Sequence, residues 1–181
     1  MNFYSQQNAF IAINCKSSVT NSLFYASGSQ TVAIALGGEA TFDNCTIYNN
    51  GTSGSDASEA IILSNFAQTS IGEGGLNHLD KADFTNTIIH GSAEEKLAFS
   101  TDNQVDFNYS FTNCLLKTQL ESEGGFTDCL FNQDPKFEDT SEDNFHLKDT
   151  SPCINAVTDN GILVDIYFTP RGNFDIGAVA Y

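Results

Sequence analysis

The acidic side chains are the most numerous groups in this 181-residue sequence that could do chemistry, with 23 Asp and Glu in all. Hydrolysis of a glycosidic bond needs two carboxyl groups about 5–10 Å apart across a groove. Acidic residues beside predicted loops are the candidates: Asp102, Asp106, Glu121 and Glu123. No motif singles out a pair, and so many acidic residues can produce a close pair by chance. We interpret them as a solvated acidic surface and leave catalytic residues unassigned.

Polysaccharide lyase chemistry is the second reaction to consider. It requires a cation to neutralise a uronate carboxylate and a basic side chain to remove the neighbouring proton. The sequence has a single arginine, Arg171, and 7 basic against 23 acidic residues give a formal charge of −16. That charge repels polyuronates unless calcium intervenes. The sequence therefore favours a structural ion pair for Arg171 and keeps a polysaccharide-active enzyme only as an alternative.

Calcium is the one cofactor that the sequence suggests, through segment 139–144, Asp-Thr-Ser-Glu-Asp-Asn. Oxygens stand at positions 1, 3 and 5 of a calcium loop, but Asn144 replaces the glycine of position 6 and Thr150 the glutamate of position 12. Glycines 72, 74 and 75 lack the context of a phosphate-binding loop. None of the histidines has metal-ligand spacing: His78, His90 and His146. We predict no metal and no cofactor, with calcium at 139–144 as the alternative.

Composition excludes two classes of partner. Nucleic acid and anionic membranes are bound by basic patches, which a charge of −16 does not supply. The sequence contains no run of 18 apolar residues, so it predicts no membrane-spanning helix. No basic stretch leads into an apolar run near Met1, so the sequence predicts either a cytosolic protein or a targeting segment upstream. The five cysteines form no CxxC pair and are interpreted as small buried residues.

A short pattern recurs along residues 1–132: a bulky apolar residue, any residue, Asn or Asp, a small residue, then apolar residues. The polar residues of the pattern are Asn21, Asn44, Asn65, Asn86, Asn113 and Asp128. The steps between them are 23, 21, 21, 27 and 15 residues. A period near 21 with β-branched and aromatic residues predicts a solenoid of strand-based coils.

Stacking of such coils assigns a direction to each position of the pattern. The Asn or Asp is predicted to form a ladder of side chains and to take the left-handed backbone of a sharp turn. Strand alternation points positions +1 and +3 inward and positions +2 and +4 outward. The +4 positions form a polar and aromatic outer row suited to sugar faces: Tyr25, Tyr48, Thr69, His90, Lys117 and Asn132. An ordinary polar surface is the competing interpretation of this outer row.

The +2 positions form a second row that is too apolar for open solvent: Leu23, Thr46, Ala67, Ile88, Leu115 and Leu130. A loop, the C-terminal tail or a partner chain is expected to cover this apolar row. If a loop covers it, the neighbouring outer row is partly shielded as well.

Residues 133–181, here called the tail, break the pattern and are predicted to cap the last coil of the same domain. The tail contains five short blocks: Asp134-Pro-Lys-Phe137, Asn144-Phe-His-Leu147, Ser151-Pro-Cys-Ile-Asn-Ala156, Pro170-Arg171 and Asp175-Ile-Gly-Ala178. Their order and spacing resemble the C-terminal end of bacterial secreted right-handed parallel β-helix repeat proteins. Val157 and Phe168 stand where that family usually has Gly.

The resemblance implies an all-β, right-handed parallel β-helix with an irregular C-terminal cap, exported to the surface or exterior of a bacterium. It also implies that the targeting segment lies outside this sequence. For function we expect a non-catalytic surface module that binds a poly- or oligosaccharide. The alternatives are a structural or adhesive segment, self-associating through an open coil edge, and a polysaccharide-active enzyme.

Overall fold

The computed structural model describes residues 2–5, 8–26, 30–51, 59–68, 74–121, 123–157, 159–172 and 174–181. These residues form an all-β structure whose strand pairs are mostly parallel, which is compatible with a β-solenoid. They contain no α-helix, and their one helical element is a 3-10 turn at Thr140–Glu142. Within these ranges, no helix has the length and apolar character needed to cross a membrane.

Seventeen strands are numbered in chain order. They are β1 Asn2–Ser5, β2 Phe10–Thr20, β3 Leu23–Ala26, β4 Val32–Asp43, β5 Thr46–Asn49, β6 Ile61–Ser64, β7 Phe66–Gln68, β8 Gly74–Leu76, β9 Leu79–Thr85, β10 Ile88–Gly91, β11 Leu97–Ser100, β12 Ser110–Thr112, β13 Leu115–Leu116, β14 Phe126–Thr127, β15 Leu130–Phe131, β16 Phe137–Asp139 and β17 Asn144–Leu147.

Two parallel sheets share the stacked part of the molecule. Sheet A has the order β1-β3-β5-β10-β13-β15, and sheet B has the order β11-β6-β4-β9-β12-β14 with β2 also paired to β4. The chain passes from a strand of sheet B through a two-residue turn into a short strand of sheet A, and then returns to sheet B. We call each such traverse a pass. Variable segments between passes leave the register of the sheets unchanged.

The long strand β4 serves as the template for two separate strands of the following pass. Its first part pairs with β6, from Val32 to Ile34, and its second part pairs with β9, from Gly38 to Asp43. Residues 61–85 therefore form one pass, interrupted by the antiparallel hairpin of β7 and β8. The interval from Asn44 to Asn86 is 42 residues, which is twice the predicted period.

The prediction that Asn65 belongs to the ladder of turn residues is therefore wrong. The turn residue that follows Asn44 is Asn86, whose side-chain Nδ2 donates to Asn44 Oδ1 at 3.4 Å. Asn65 faces the loop after β11 instead, where its amide donates to the carbonyl of Asp102 and accepts from the N–H of that residue, at 2.8 and 2.7 Å. Asn65 lies 21 residues from both Asn44 and Asn86, but the position equivalent to Asn44 in the next pass is Asn86.

The other turn residues share a left-handed backbone. The φ angles lie between 49° and 53° at Asn21, Asn44, Asn86, Asn113 and Asp128. Asn and Asp tolerate this region better than other residues with a side chain, because their short polar groups can hydrogen-bond locally. The repeated polar residue is therefore explained first by the sharp turn from sheet B into sheet A.

A column of aromatic rings fills the interior two residues before the turn. Phe84 stacks on Phe42 at 4.9 Å and on Phe111 at 4.8 Å, and Phe111 stacks on Phe126 at 5.2 Å. These separations match the spacing of neighbouring strands, about 4.7–4.9 Å. Phe42, Phe84 and Phe111 are fully buried. The column is the centre of the hydrophobic core.

The position after the turn holds a small residue that points inward, as strand alternation predicts. Its hydroxyl or thiol donates to the carbonyl two residues earlier in the chain: Ser22, Cys45, Thr87, Cys114 and Cys129. This bond satisfies a carbonyl at the turn, where the backbone leaves sheet B. We call these five residues the inner small row.

The tail lies along the outer face of sheet A. Gly177 N–H donates to the carbonyl of Asn86, and Ala178 N–H donates to Thr46 Oγ1 at 3.0 Å. Gly177 has φ +106°, and a Cβ there would lie 2.7 Å from Ile88 Cδ1. Only glycine fits this close approach of the tail to the sheet.

Three buried charged residues organise the tail. Asp165 accepts hydrogen bonds from the N–H groups of Tyr167, Thr169 and Ala180. Asp175 accepts from two N–H groups, those of Asn155 and Tyr181. Arg171, 7% exposed, donates to the carbonyls of Asp175 and Gly177 and to Asn21 Oδ1. Arg171 thus fastens the tail to the first turn, and its hydrogen bonds go to carbonyl and amide oxygens rather than to the carboxylates predicted for it.

Candidate functional site

The outer row runs along the outer face of sheet A. Tyr25 pairs with Tyr48 and Tyr48 pairs with His90 across the parallel strands β3, β5 and β10. The backbone N–H groups of Lys117 and Asn132 donate to carbonyls of the preceding pass at 3.0 and 2.8 Å, which continues the row. Five of the six predicted side chains therefore follow one another along the sheet.

One residue assigned to the rows is placed differently, and one is not described. Thr69 lies outside the described residues. Ala67 belongs to the inserted hairpin, where it pairs with Gly75 of β8, so it is not part of the apolar row. Both assignments followed from the turn residue predicted at Asn65.

The tail covers the apolar row. Leu23, Ile88 and Leu115 are buried in one cluster with aliphatic and aromatic residues of the tail: Phe137, Phe145, Leu147, Cys153, Ile176, Ala178 and Val179. Of the three covers that the sequence left open, the structure shows the tail in this position. The neighbouring outer row consequently lies at the border of the tail.

Two aromatic side chains of the outer row form part of this border. The rings of Tyr25 and Tyr48 each lie 5.3 Å from the ring of Phe145. The Tyr48 hydroxyl contacts Asn50 Oδ1 at 3.2 Å and Thr140 Oγ1 at 3.4 Å. These contacts hold the tyrosine rings in fixed orientations, with one side against the tail.

A pocket of about 290 Å³ opens where the outer row meets the tail. Tyr48 and His90 contribute parallel rings with centroids 6.4 Å apart. The remaining lining residues come from the tail: Asp134, Pro135, Phe137, Glu138, Asp139 and Thr140. We call this the aromatic pocket. It combines ring faces with carboxylate and hydroxyl oxygens.

Burial and local hydrogen bonds together set the charges around the aromatic pocket. Burial, followed by the positive charge of Lys117, lowers the pKa of His90 to about 4, so its ring is neutral at pH 7. Hydrogen bonds from the backbone N–H and the Nζ of Lys136 lower the pKa of Asp134. Hydrogen bonds from the Ser141 side chain and N–H lower the pKa of Asp139. At neutral pH the pocket presents a neutral imidazole beside anionic oxygens.

A second pocket of about 330 Å³ lies further along the row and is lined by Glu94, Lys117, Gln119 and Asn132. Lys117 Nζ donates to the carbonyls of Gly91 and Ser92, both at 3.0 Å. The Asn132 side chain is held by the backbone N–H and carbonyl of Thr118, each at 3.0 Å. We call this the polar pocket. The outer row thus connects two pockets of different character.

The sequence interpretation did not identify one cluster of possible metal ligands. His78, Asp80 and Asp106 bring ligand atoms within 4.8 Å of one another on an exposed face. His78 Nδ1 already contacts Asp106 Oδ2 at 2.9 Å. The i, i+2 spacing of His78 and Asp80 at the start of β9 was the available signal, since residues two apart in extended backbone share a face. Asp106 joins them only through the pairing of passes.

The other candidate residues have local roles in the structure. Asp139 accepts from the backbone N–H of Ser141 at the start of the 3-10 turn, so segment 139–144 closes on itself. His146 stacks on Tyr167 at 5.1 Å. Asp102 accepts from the Gln104 N–H, whereas Glu121 and Glu123 are exposed beside β14. The structure does not gather Asp102, Asp106, Glu121 and Glu123 around either pocket.

Comparisons with protein-family models, curated proteins and solved structures give no significant match. The interpretation of the site therefore depends on its residues and their geometry.

Proposed function

We propose that this chain is a right-handed parallel β-helix module that binds glycan without catalysis, at a bacterial cell surface or outside the cell. Successive parallel strands in sheets A and B support the β-helix. Crossover connections between parallel strands of one sheet are right-handed in about 98% of cases, which supports the handedness. The location rests on the resemblance of the tail to exported proteins.

The aromatic pocket is the observation that carries the binding function. A sugar ring presents C–H groups on its faces and hydroxyl groups around its edge. The ring faces of Tyr48 and His90 suit the C–H surface, while the oxygens of Glu138 and Thr140 suit the hydroxyl groups. Because Phe145 and Phe137 already hold Tyr48, binding requires little further ordering of its ring.

The charge of the aromatic pocket narrows the class of glycan. Asp134, Glu138 and Asp139 line it, and the chain carries a formal charge of −16. Uronate and sulfated sugars are repelled by such a surface, whereas neutral and amino sugars are not. The polar pocket adjoins the same row and gives an oligosaccharide a second place to bind, beside Lys117 and Asn132.

The test is a broad glycan array with the full chain, with calcium and again with a chelator. Specific binding to neutral or amino sugars in both conditions is expected. Glu138→Gln should weaken binding about tenfold or more, since it removes a charged acceptor. Glu142→Gln is the matched control, because Glu142 is an exposed acid of the adjacent 3-10 turn outside the pocket lining.

The tyrosines of the outer row offer a second matched pair. Tyr48→Phe removes the pocket hydroxyl and keeps the ring, whereas Tyr25→Phe makes the same change one pass away. Only the former should reduce binding. Absence of any bound glycan would contradict the proposal. Release of new reducing ends from a bound glycan would show that the chain is an enzyme, which contradicts the non-catalytic part of the proposal.

The edge of sheet B favours a second candidate, a structural or adhesive segment. β2 is 11 residues long and, among the described residues, pairs only with β4. Ile11 and Ile13 on this strand are 55% and 61% exposed. An exposed apolar edge strand can pair with another chain. Sedimentation that shows concentration-dependent association, abolished by Ile13→Lys, would support this candidate; a monomer at all concentrations would contradict it.

A further inference from the structure

Two neighbouring positions of the inner small row are both cysteine. Cys114 precedes β13 and Cys129 precedes β15. Every paired residue of these passes is offset by 15 positions, from Thr112 with Thr127 to Leu115 with Leu130, so Cys114 lies opposite Cys129. The remaining cysteine of the row, Cys45, has a threonine and a serine as neighbours in the row, Thr87 and Ser22.

The distance between the two passes suits a disulfide. Neighbouring parallel strands are about 4.8 Å apart, and disulfides join residues whose Cα atoms are about 4.4–6.8 Å apart. Cys114 Sγ reaches the carbonyl of Phe84 in the pass that precedes its own, at 3.4 Å. Cys129 Sγ also reaches the carbonyl of Phe111 in the preceding pass at 3.4 Å, so it points toward the pass of Cys114.

The two thiols differ in a way that assigns an order of reaction. Cys114 is fully buried, and Cys129 is half-buried. The hydrogen bond from Cys114 lowers the pKa of Cys129 to about 7, while burial raises the pKa of Cys114. Burial raises the pKa of Cys45 to about 12. A thiolate with a pKa near the ambient pH is the best attacking group in thiol–disulfide exchange.

We propose that Cys129 and Cys114 form a reversible thiol–disulfide site that exchanges with small-molecule disulfides. The Cys129 thiolate attacks one sulfur of the small disulfide, a new S–S bond forms, and one small thiolate leaves. Cys114 then loses its proton and attacks the sulfur of Cys129, which releases the second small thiolate. The two cysteines are oxidised to one disulfide while the small disulfide is reduced to two thiols.

The product would link the two passes that have the shortest strands. β13, β14 and β15 contain two residues each, against 12 in β4. A covalent bond there closes a loop from residue 114 to residue 129 and restricts its unfolded state. The site would make the stability of the last passes depend on the thiol–disulfide balance of the surroundings.

The test uses the full chain with Cys15→Ser, because Cys15 is exposed and would react by itself. The reduced, folded protein is incubated with glutathione disulfide, free thiols are blocked, and peptides are mapped by mass spectrometry. A bond between Cys114 and Cys129, removed by dithiothreitol, is expected. The oxidised form should melt about 6–12 °C higher than the reduced form.

Single substitutions separate the two steps. Cys114→Ser should leave Cys129 as a stable mixed disulfide with one glutathione, whereas Cys129→Ser should leave Cys114 unmodified. Cys45→Ser is the matched control and should leave the cross-link intact. Serine already occupies this row at Ser22, so these variants are expected to fold. Unmodified Cys129, or a disulfide that involves Cys45 or Cys153, would overturn the proposal.

Discussion

The stacked passes and the tail are held together in different ways. In the passes, the same position recurs from one strand to the next, so Phe42, Phe84 and Phe111 form one column at strand spacing. In the tail, Asp165 and Arg171 each fix several backbone groups at once. Repetition spreads stabilisation over many similar contacts, whereas the tail concentrates it in a few buried polar residues. The two regions should therefore respond differently to single substitutions.

The largest effect is expected in the aromatic column. Phe84→Ala removes a fully buried ring that stacks on both neighbours, and should lower the free energy of unfolding by about 3–5 kcal/mol. The loss should appear as earlier unfolding of all passes together in denaturant titration. Phe168→Ala is the control, since Phe168 is 83% exposed and should change stability by less than about 0.5 kcal/mol.

The corresponding substitution in the tail is Asp165→Ala. It leaves three N–H groups without their acceptor and removes one of the two carboxylates near Arg171, at a cost of about 3 kcal/mol. Hydrogen exchange should show fast exchange at Tyr167, Thr169 and Ala180 while the amides of β4 and β9 stay protected.

Asp159→Ala provides the control for the tail, because Asp159 is exposed and, within the described part of the chain, accepts only from the Gly161 N–H nearby. Equal loss of protection in the passes and in the tail after Asp165→Ala would show that the two regions unfold as one unit. The proposed contrast between them would then be wrong.

His90 stands at the boundary of the two regions and should make stability depend on pH. Its pKa is about 4 in the folded protein against about 6.5 in the unfolded chain. Between these values the unfolded state binds the extra proton, so stability is complete above pH 6.5 and falls as the pH decreases toward 4. The loss is about 2–3 kcal/mol.

Unfolding at several pH values measures this effect, and His90→Gln should make the profile flatter between pH 6.5 and 4. Lys117→Gln should raise the pKa of His90, because the positive charge of Lys117 is the second cause of its lowering. An NMR titration of the His90 ring with its midpoint near pH 6.5 would contradict the prediction.

The smallest effect is expected at a turn residue. Asn113 has φ 53°, so Asn113→Ala should cost about 1 kcal/mol, while Asn113→Gly should be nearly neutral. Asn86→Gly is the comparison, since it also removes the hydrogen bond to Asn44. If Asn113→Gly costs as much as Asn113→Ala, the side chain rather than the backbone is the important feature of the repeated residue.

The sequence was sufficient for the parts of the fold in which each pass repeats the last. Strand alternation placed Phe24 and Ile47 inside and Leu23 and Ile88 outside, and the spacing of Asn86, Asn113 and Asp128 matched successive turns. The local pattern at Asn65 resembles that of the turn residues. In the structure, however, the Asn65 side chain faces the loop after β11. Only the pairing of both β6 and β9 with β4 distinguishes the two cases, and this pairing is not local information.

The part of the candidate site that lies in the repeat could be predicted, whereas the part contributed by the tail could not. Tyr48 and His90 follow from the repeat, since residues in register must share a row. Glu138 and Thr140 join them because the tail returns across sheet A, which no periodicity encodes. The pairing of Cys114 with Cys129 was available from the 15-residue step, although the sequence interpretation took both only as buried small residues.

The contact between Arg171 and Asn21 has a consequence for synthesis of the chain. The two residues are 150 positions apart, and the tail covers Leu23 of the first pass as well as Leu115 of a late one. At about 5–20 residues per second, a ribosome needs roughly 8–30 s to make the intervening chain. During that time Leu23 lacks this cover, so the nascent chain is expected to depend on chaperones until the tail has emerged.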